Sequence, residues 1–236
     1  MIPKKIHYCW FGGNPLPEDA QKYLESWKKF CPDYEIIRWD EKNFDINQLP
    51  YVQEAFKAKK WAFITDYVRL YALYNYGGIY MDTDVEVLKS LDSFLELRAF
   101  SGFENEENIP TGIMAAEKEL PIIKELMGYY NNLHFINEDG TLNLRTNVEI
   151  ITEYFEKKGF IGNNKKQVIS DFTIFPKDYF CPKDYRTLEI KITPNTYTIH
   201  HFASSWIPQK NKWKKIIKKI LGPKLCGIII KYILKK

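Results

Sequence analysis

Residues 61–85 have the sequence WAFITDYVRLYALYNYGGIYMDTDV, and this stretch decides how the chain around it folds. Apolar side chains recur at helical spacing over residues 62–74, which predicts a helix. The helix is expected to end at the glycine pair 77–78, because glycine adopts the left-handed conformation common at helix C-termini. The apolar residues 79–81 then predict a buried strand that leads directly into the sequence Asp-Thr-Asp at 82–84.

The two carboxylates at the end of this strand indicate a cation site. Asp82 and Asp84 stand one residue apart after a buried strand, and like charges held close together repel each other. A divalent cation that prefers oxygen ligands, Mn²⁺ or Mg²⁺, would neutralise them and would carry a phosphate as a further ligand. A turn without metal is the alternative, because D-x-D alone is a weak signal.

Two charged residues of the predicted helix belong to the same pattern. Asp66 and Arg69 lie three residues apart and therefore share one helix face; a plain surface ion pair is the alternative. The sequence order of Asp and Arg on a helix, a glycine pair, an aromatic strand and D-x-D resembles the sugar-nucleotide site of glycosyltransferases with the glycosyltransferase-A fold. More specifically, residues 65–85 resemble the D-x-D region of the family 32 transferases. These include bacterial capsular polysaccharide enzymes and yeast mannosyltransferases, and are distantly similar to the clostridial glucosylating toxins.

The resemblance extends to the start of the chain. Residues 2–13, IPKKIHYCWFGG, predict a strand closed by a glycine pair, as in those families, where the aromatic residue at the place of Trp10 stacks on the nucleotide base. A core tryptophan is the alternative. The glycine pair favours the site, because glycine lets the backbone approach a ligand closely.

A third block of resemblance is residues 200–206, HHFASSW. Related transferases carry a metal ligand in such a loop, followed shortly by a serine and a tryptophan near the donor phosphates. Position for position, the resemblance implies His201 as the third protein ligand, with Ser204 and Trp206 near the pyrophosphate. His200 is expected to point the other way, because neighbours in a strand alternate between faces.

The resemblance thus implies specific roles for the site residues. The metal, on Asp84, Asp82 and His201, would bind the diphosphate, while Asp82 would also contact the ribose. Asp66 and Arg69 would hold the donor sugar. The implied donor-binding set is Trp10, Asp66, Arg69, Tyr80, Asp82, Ser204 and Trp206, and the implied catalytic set is Asp66, Arg69, Asp82 and Asp84. The segment 111–116 would face the donor sugar and the acceptor.

Strands and helices alternate along the rest of the chain, which predicts an α/β fold with a mainly parallel sheet flanked by helices. Ligands of such sheets bind beyond the carboxyl ends of the strands.

Asn147 is interpreted as a helix cap in preference to a polar contact of the site, and Glu104, Glu106 and Glu107 as a solvated loop. The predicted helices are 18–30, 43–60 with a break at Pro50, 120–132 and 148–157. The predicted strands, besides those above, are 34–39, 85–88, 99–103, 111–116, one near 168 and 196–202.

The charge is unevenly distributed between two predicted parts of the chain. The 236 residues carry a net charge of +4, but residues 209–236 hold ten lysines and no acid, which leaves 24 basic against 30 acidic residues in 1–208. In this tail an apolar stripe from Trp213 to Leu221 opposes lysines, as in a basic amphipathic helix. The apolar stretches are too short to span a bilayer, so we expect the tail to lie on an anionic membrane surface. A tail that packs on the body or is solvated is the alternative.

These observations predict a catalytic domain over residues 1–208 and a membrane-surface tail over 209–236. The four cysteines have no zinc-ligand spacing and the chain starts with a strand pattern, so we expect a reducing cytoplasmic location at the inner face of the plasma membrane. The expected partners are a nucleoside-diphosphate sugar and a lipid-linked glycan acceptor, with no nucleic acid. The resemblance implies transfer with retention, in capsule or other surface polysaccharide synthesis. A metal-dependent phosphohydrolase and a non-catalytic sugar-binding subunit are the alternatives.

Overall fold

A computed structural model describes residues 1–203, in which strands and helices alternate. The predicted contacts of Ser204 and Trp206 and the tail 209–236 lie outside the described residues. The helices are α1 (Glu18–Phe30), α2 (Pro50–Lys57), α3 (Trp61–Tyr76), α4 (Pro121–Gly128), α5 (Asn147–Glu156) and α6 (Lys177–Phe180). The strands are β1 (Lys5–Cys9), β2 (Glu35–Trp39), β3 (Gly78–Met81), β4 (Val85–Val87), β5 (Ala99–Gly102), β6 (Ile113–Ala116), β7 (Gln167–Ile169), β8 (Phe172–Phe175) and β9 (Thr198–His200).

The described residues form a seven-stranded sheet with the order β2-β1-β3-β6-β5-β8-β7. Five of these strands run in one direction, while β6 and β7 run against their neighbours. This arrangement confirms the predicted α/β fold with a mainly parallel sheet. β4 and β9 pair separately as an antiparallel ribbon, so the segment that follows β3 leaves the main sheet at Asp82.

The two faces of the sheet bury different clusters of apolar side chains. Tyr80 belongs to the cluster that includes α2, α3 and α5, whereas its neighbours Ile79 and Met81 belong to the cluster that includes α1, α6 and the β4–β9 ribbon. This division follows from the alternation of side chains along a strand. Helix α3 therefore lies on one face of the sheet, and the β4–β9 ribbon lies on the other.

The junction between α3 and β3 requires glycine, although Gly77 combines its positive φ with a ψ of 179° instead of the left-handed helical cap that the sequence predicts. Gly77 ends α3 with a φ of 63°, and a Cβ placed on it would lie 2.7 Å from the backbone nitrogen of Lys118. Gly78 begins β3 with a φ of 114°, and its Cβ would lie 2.7 Å from the carbonyl oxygen of Lys5. Both positions combine positive φ with close backbone contact, so another residue would displace β3 from β1.

Several local predictions are wrong. Pro50 begins α2 instead of breaking a longer helix, because proline fits the first helical turn, where its missing N–H costs nothing. Thr146, not Asn147, caps α5 and forms a capping box with Glu149. The buried strand β8 and the short helix α6 have no counterpart among the predicted elements. Within residues 1–203, no helix is long and apolar enough to cross a lipid bilayer.

Candidate active site

The site residues collect at one edge of the main sheet, the edge formed by the carboxyl ends of its parallel strands. β1, β3 and β5 run in the same direction, so Trp10, Asp82 and Glu104, which follow their carboxyl ends, all lie at that edge. Asp82 is fixed there by its backbone N–H, which donates to the carbonyl of Gly112 at 2.8 Å. The segments before β6 and after β3 thus face each other beside the carboxylates.

Asp84 is held by the β4–β9 ribbon. The ribbon pairs Val85 with His200, which brings the His200 Nε2 atom within 3.2 Å of Asp84 Oδ1. The backbone N–H of Ala203 donates to Asp84 Oδ2 at 2.6 Å. Burial opposes ionisation of this carboxyl, but the charge of His200 and these hydrogen bonds outweigh it and hold the pKa of Asp84 at about 2. Burial lowers the pKa of His200, while Asp84 raises it more, so the net shift is well above the ordinary value.

Asp82, Asp84 and His200 form a candidate metal site. One ligand atom from each lies within 4.8 Å of the others. The His200 Nδ1 atom is buried without a hydrogen-bond partner that meets normal geometry. Gly112 packs against the imidazole, and a Cβ there would lie 2.9 Å from ring atoms. Two carboxylates and one imidazole suit Mn²⁺ or Mg²⁺ and leave positions for the oxygens of a phosphate, so these residues fit the implied ion.

The side chain of His201 points away from the two aspartates, unlike the position that the family resemblance implies, although its backbone N–H donates to the Asp84 carbonyl at 2.9 Å. Its Nε2 atom lies 2.8 Å from Glu86 Oε2, and its ring stacks on Tyr23 at a centroid distance of 4.5 Å. Neighbouring residues of an extended segment face opposite sides, so His200 and His201 cannot both face Asp84. The geometry favours His200 as the third ligand, the reverse of the sequence-based choice.

Arg69 connects the helix pair to the D-x-D sequence. Its Nη2 atom lies 3.2 Å from Asp66 Oδ1 and 3.5 Å from Asp82 Oδ1, and its Nη1 atom donates to the carbonyl of Thr111. The guanidinium also stacks over the ring of Tyr80 at 4.6 Å. The Arg69 and Asp66 residues are only 4% and 8% exposed, which excludes the alternative of a surface ion pair.

The environment of Asp66 opposes a full negative charge. Burial raises the pKa of this carboxyl to about 7, although Arg69 lowers it and Asp82 adds a smaller raising effect. The Tyr80 hydroxyl donates to Asp82 Oδ1 at 2.8 Å, the same oxygen that lies 3.5 Å from Arg69 Nη2. Tyr80 and Arg69 therefore hold Asp82 from the same side, and Arg69 supplies the positive charge between the two carboxylates.

Asn147 is buried beneath Asp66. Its Nδ2 atom donates to the Asp66 carbonyl at 3.4 Å, and the Tyr130 hydroxyl donates to its Oδ1 atom at 3.3 Å. Asn147 thus connects α5 to α3 through hydrogen bonds. This role differs from that of a helix cap. The sequence signal for it is the Thr146-to-Glu149 capping box, which assigns the cap to Thr146 and leaves Asn147 without that role.

Trp10 is only partly enclosed by the protein. It is half-buried and packs against the edge of the cluster on the ribbon side, with its Nε1 atom donating to the Asn14 carbonyl at 2.6 Å. Gly12 follows with a φ of 89°, and its missing side chain makes room for the Trp61 ring. A core tryptophan would be fully enclosed, as Trp27 is. The partial burial of Trp10 is compatible with the predicted position at the site, which stays a prediction.

Glu104 does not lie in a solvated loop with its neighbours. Glu106 and Glu107 are exposed, but Glu104 is half-buried within electrostatic reach of His200, Asp82 and Asp84. Burial raises the pKa of Glu104, His200 lowers it, and the two aspartates raise it further. Glu104 directly follows the predicted strand 99–103. This position after a strand is the sequence signal that could have identified Glu104 as a site residue.

Comparisons with known proteins agree with this site. Residues 17–101 match the family model described as "Glycosyltransferase sugar-binding region containing DXD motif". This match includes α3, β3 and the D-x-D sequence. It agrees with the resemblance of residues 65–85 to the D-x-D region of the family 32 transferases, so this part of the chain is similar to the sugar-binding region of D-x-D glycosyltransferases.

Two curated relatives illustrate the range of similarity. Inositol phosphoceramide mannosyltransferase 3 of Schizosaccharomyces pombe is 30% identical over 142 residues, which cover 57% of this chain and 40% of that protein. An uncharacterized glycosyltransferase of Acanthamoeba polyphaga mimivirus is 28% identical over 225 residues, or 88% of this chain and 85% of that protein. This chain thus spans two fifths of the yeast relative. The solved galactosyltransferase LgtC, in complex with donor and acceptor sugar analogs, has a TM-score of 0.48 and 14% identity, with 94% of this chain and 95% of that chain covered.

Proposed function

We propose that this protein is a metal-dependent glycosyltransferase that moves a sugar from a nucleoside-diphosphate donor to a hydroxyl of a glycan. The observation that carries the proposal is the convergence of Asp82, Asp84 and His200 at the sheet edge where Arg69 joins Asp66 to Asp82. A metal site alone suits many reactions. A metal site beside a buried Arg–Asp pair suits a phosphorylated sugar, because the pair offers both donors and acceptors to sugar hydroxyls.

Each residue has a distinct task in this proposal. Asp82, Asp84 and His200 would hold Mn²⁺ or Mg²⁺, which neutralises the diphosphate and the charge on the departing nucleotide. Trp10, at the end of β1, would stack on the base, since aromatic faces bind bases of any sequence. Arg69 and Asp66 would bind the hydroxyls of the donor sugar and fix its anomeric carbon next to the metal.

The reaction exchanges one C–O bond for another. The bond from the anomeric carbon to the phosphate oxygen breaks, with its electron pair leaving on that oxygen, and the acceptor hydroxyl oxygen bonds to the same carbon. The hydroxyl proton passes to the departing phosphate oxygen. Attack on the face from which the phosphate leaves retains the anomeric configuration, and this course requires no enzyme nucleophile.

We extend the proposal to the acceptor and location. A lipid-linked glycan at the inner face of the plasma membrane fits the ten lysines and the apolar stripe of residues 209–236. The name of the yeast relative, an inositol phosphoceramide mannosyltransferase, also includes a lipid. Synthesis of capsule or another surface polysaccharide is the role that would use such an acceptor.

The first experiment identifies the donor. UDP-glucose, UDP-galactose, GDP-mannose and a CDP-sugar are each tested with Mn²⁺ for a rise in melting temperature, because a ligand that binds only the folded state stabilises it. A donor that binds is then tested for release of nucleoside diphosphate. Release of inorganic phosphate without sugar transfer would instead indicate a phosphohydrolase, and binding without any turnover would indicate a sugar-binding subunit.

Two variants separate base binding from sugar binding. Trp10→Ala should weaken binding of the free nucleoside diphosphate by roughly 1–3 kcal/mol, the usual scale of base stacking. Arg69→Ala should preserve much of that binding but lose the additional affinity for the intact sugar donor, because the guanidinium contacts the sugar side. Calorimetry that finds both ligands bound normally by both variants would place the donor site elsewhere.

A further inference from the structure

Glu104 has an unusual position relative to the donor residues. Along the sheet edge the order is Trp10 after β1, Asp82 after β3, Gly112 before β6 and Glu104 after β5. The metal cluster therefore lies between Trp10 and Glu104. A nucleotide stacked on Trp10 would lie on the Trp10 side of the metal cluster. The opposite side, where Glu104 lies, would then be free for another substrate.

The two faces of the sheet separate Glu104 from the Asp66–Arg69 pair as well. Helix α3, which carries that pair, packs with Phe103 on one face. Glu104 is under the electrostatic influence of His200, and His200 belongs to the β4–β9 ribbon on the other face. Glu104 would therefore lie on the opposite side of the metal cluster from a donor sugar held by Arg69 and Asp66.

The backbone around Glu104 is fixed by hydrogen bonds. The Glu104 N–H donates to the Asn108 carbonyl at 2.8 Å, and the Asn105 Oδ1 atom accepts from the N–H groups of Glu107 and Asn108 at 2.8 and 2.9 Å. The Ile109 N–H donates to the Thr152 hydroxyl, which attaches the end of the loop to α5. These backbone and side-chain hydrogen bonds hold the loop that carries the Glu104 carboxylate in place.

Within residues 1–203 the Glu104 carboxylate has no hydrogen-bond donor and no ion pair. A half-buried carboxylate has lost part of its hydration, and leaving it without a partner is costly. A carboxylate accepts hydrogen bonds but donates none, so its complement is a group that carries O–H or N–H donors. A phosphate is anionic and would be repelled.

We propose that Glu104 binds a hydroxyl of the acceptor sugar and directs the acceptor toward the anomeric carbon of the donor. This inference rests on the proposed function, because it requires a donor at the metal cluster. The base, the diphosphate and the donor sugar have their own contacts at Trp10, at the metal ligands and at Arg69. The acceptor is the one substrate that supplies hydroxyl donors to the remaining side of the site.

The test compares Glu104→Gln with Glu106→Gln in the full chain. Both variants remove one negative charge from the same loop, but Glu106 is exposed whereas Glu104 is half-buried. Sugar transfer is measured from the donor that the melting-temperature test identifies to p-nitrophenyl glycosides of glucose, galactose and mannose. We expect Glu104→Gln to raise the KM for the acceptor at least tenfold while the KM for the donor changes less than twofold, and Glu106→Gln to match the wild type.

A series of monodeoxy acceptors locates the hydrogen bond. One deoxy analogue should raise the KM of the wild type by about the same factor as the Glu104→Gln substitution, and that analogue should bind to the variant no worse than the intact acceptor does. This coupling would not arise from a merely structural change. Thermal unfolding is followed in parallel, and Glu104→Asp, which withdraws the carboxylate by one methylene, replaces Glu104→Gln if that variant does not fold.

The outcomes separate the inference from the proposed function. A wild-type protein that turns over no donor refutes the proposed function itself. An acceptor KM unchanged by the substitution, a loss of Mn²⁺-dependent binding of the nucleoside diphosphate in Glu104→Gln, or a wild type that hydrolyses the donor but transfers to none of the glycosides overturns the role of Glu104. The same acceptor KM for Glu104→Asp and the wild type would overturn it too.

Discussion

Replacement of the two adjacent histidines offers a direct test of the metal site. His200→Ala removes the imidazole that lies 3.2 Å from Asp84 Oδ1. The folded protein lowers the pKa of Asp84 from 3.8 to about 2, which corresponds to roughly 2 kcal/mol of stability that is present above pH 3.8 and lost as the pH falls toward 2. Because His200 supplies the largest part of the lowering and the backbone N–H groups supply the rest, His200→Ala should remove most of this stability at neutral pH.

His201→Ala is the matched control, one residue away on the same segment. His201 pairs with Glu86, whose side chain is 35% exposed, and a pair at that exposure contributes less than about 1 kcal/mol. The substitution also removes the stacking contact with Tyr23. Its effect on stability should therefore be smaller than that of His200→Ala, and it should leave the metal ligands in place.

The deciding measurement is the affinity for Mn²⁺ in the presence of UDP or GDP, with free Mn²⁺ counted by electron paramagnetic resonance. Loss of a metal ligand should weaken binding by at least the 10- to 100-fold seen when outer contacts of a ligand are removed. We expect His200→Ala to lose Mn²⁺-dependent binding and His201→Ala to keep it within a few-fold. The reverse result would restore His201 as the ligand and refute the geometric argument.

Three further predictions test other parts of the molecule. Gly112→Ala places a Cβ 2.9 Å from the His200 ring, so it should weaken Mn²⁺ binding about tenfold or more in calorimetry, whereas Gly128→Ala, with open space around it, should not. His7 is buried and its pKa is lowered from 6.5 to about 4 by burial. The ring of His7 is therefore neutral in the folded state. The free energy of unfolding should have its full value above pH 6.5 and should fall by roughly 3 kcal/mol as the pH is lowered to 4. Denaturant titrations should show that slope in the wild type but not in His7→Gln, and equal slopes would contradict the assignment. A chain truncated after Pro208 should no longer bind vesicles that contain anionic lipid, while the full chain should bind them less tightly as salt rises. Continued sedimentation of the truncated chain with vesicles would disprove the proposed membrane tail.

Much of the fold could be predicted from local sequence. Helix α1 (Glu18–Phe30) has the predicted bounds, and α3, the glycine turn and β3 follow the predicted order. These elements have a strong period and clear end signals, which local physics determines. The segment before Pro50 and the buried strand β8 do not follow from local sequence, because proline fits either the start or the break of a helix and a four-residue apolar run has no distinguishing period.

The sequence predicts only part of the candidate site, for a similar reason. Asp82, Asp84, Asp66 and Arg69 lie within one continuous segment, and the structure brings them together through local geometry. The candidate third ligand comes from a segment more than 100 residues later in the chain. Which of two adjacent histidines faces Asp84 depends on the register of one strand against another, and a shift of one residue reverses the facing side chain.

The sequence by itself determined the helix, the glycine turn and the carboxylate pair, because their spacing and conformational needs are local. It also determined the charge contrast between residues 1–208 and 209–236, which requires no structure. Only the tertiary structure decided that His200 faces Asp84 while His201 faces Glu86, and that Glu104 stands apart from its exposed neighbours. Both facts depend on how distant strands pair and which edge they share, and the free energy that selects those pairings comes from burying the whole sheet.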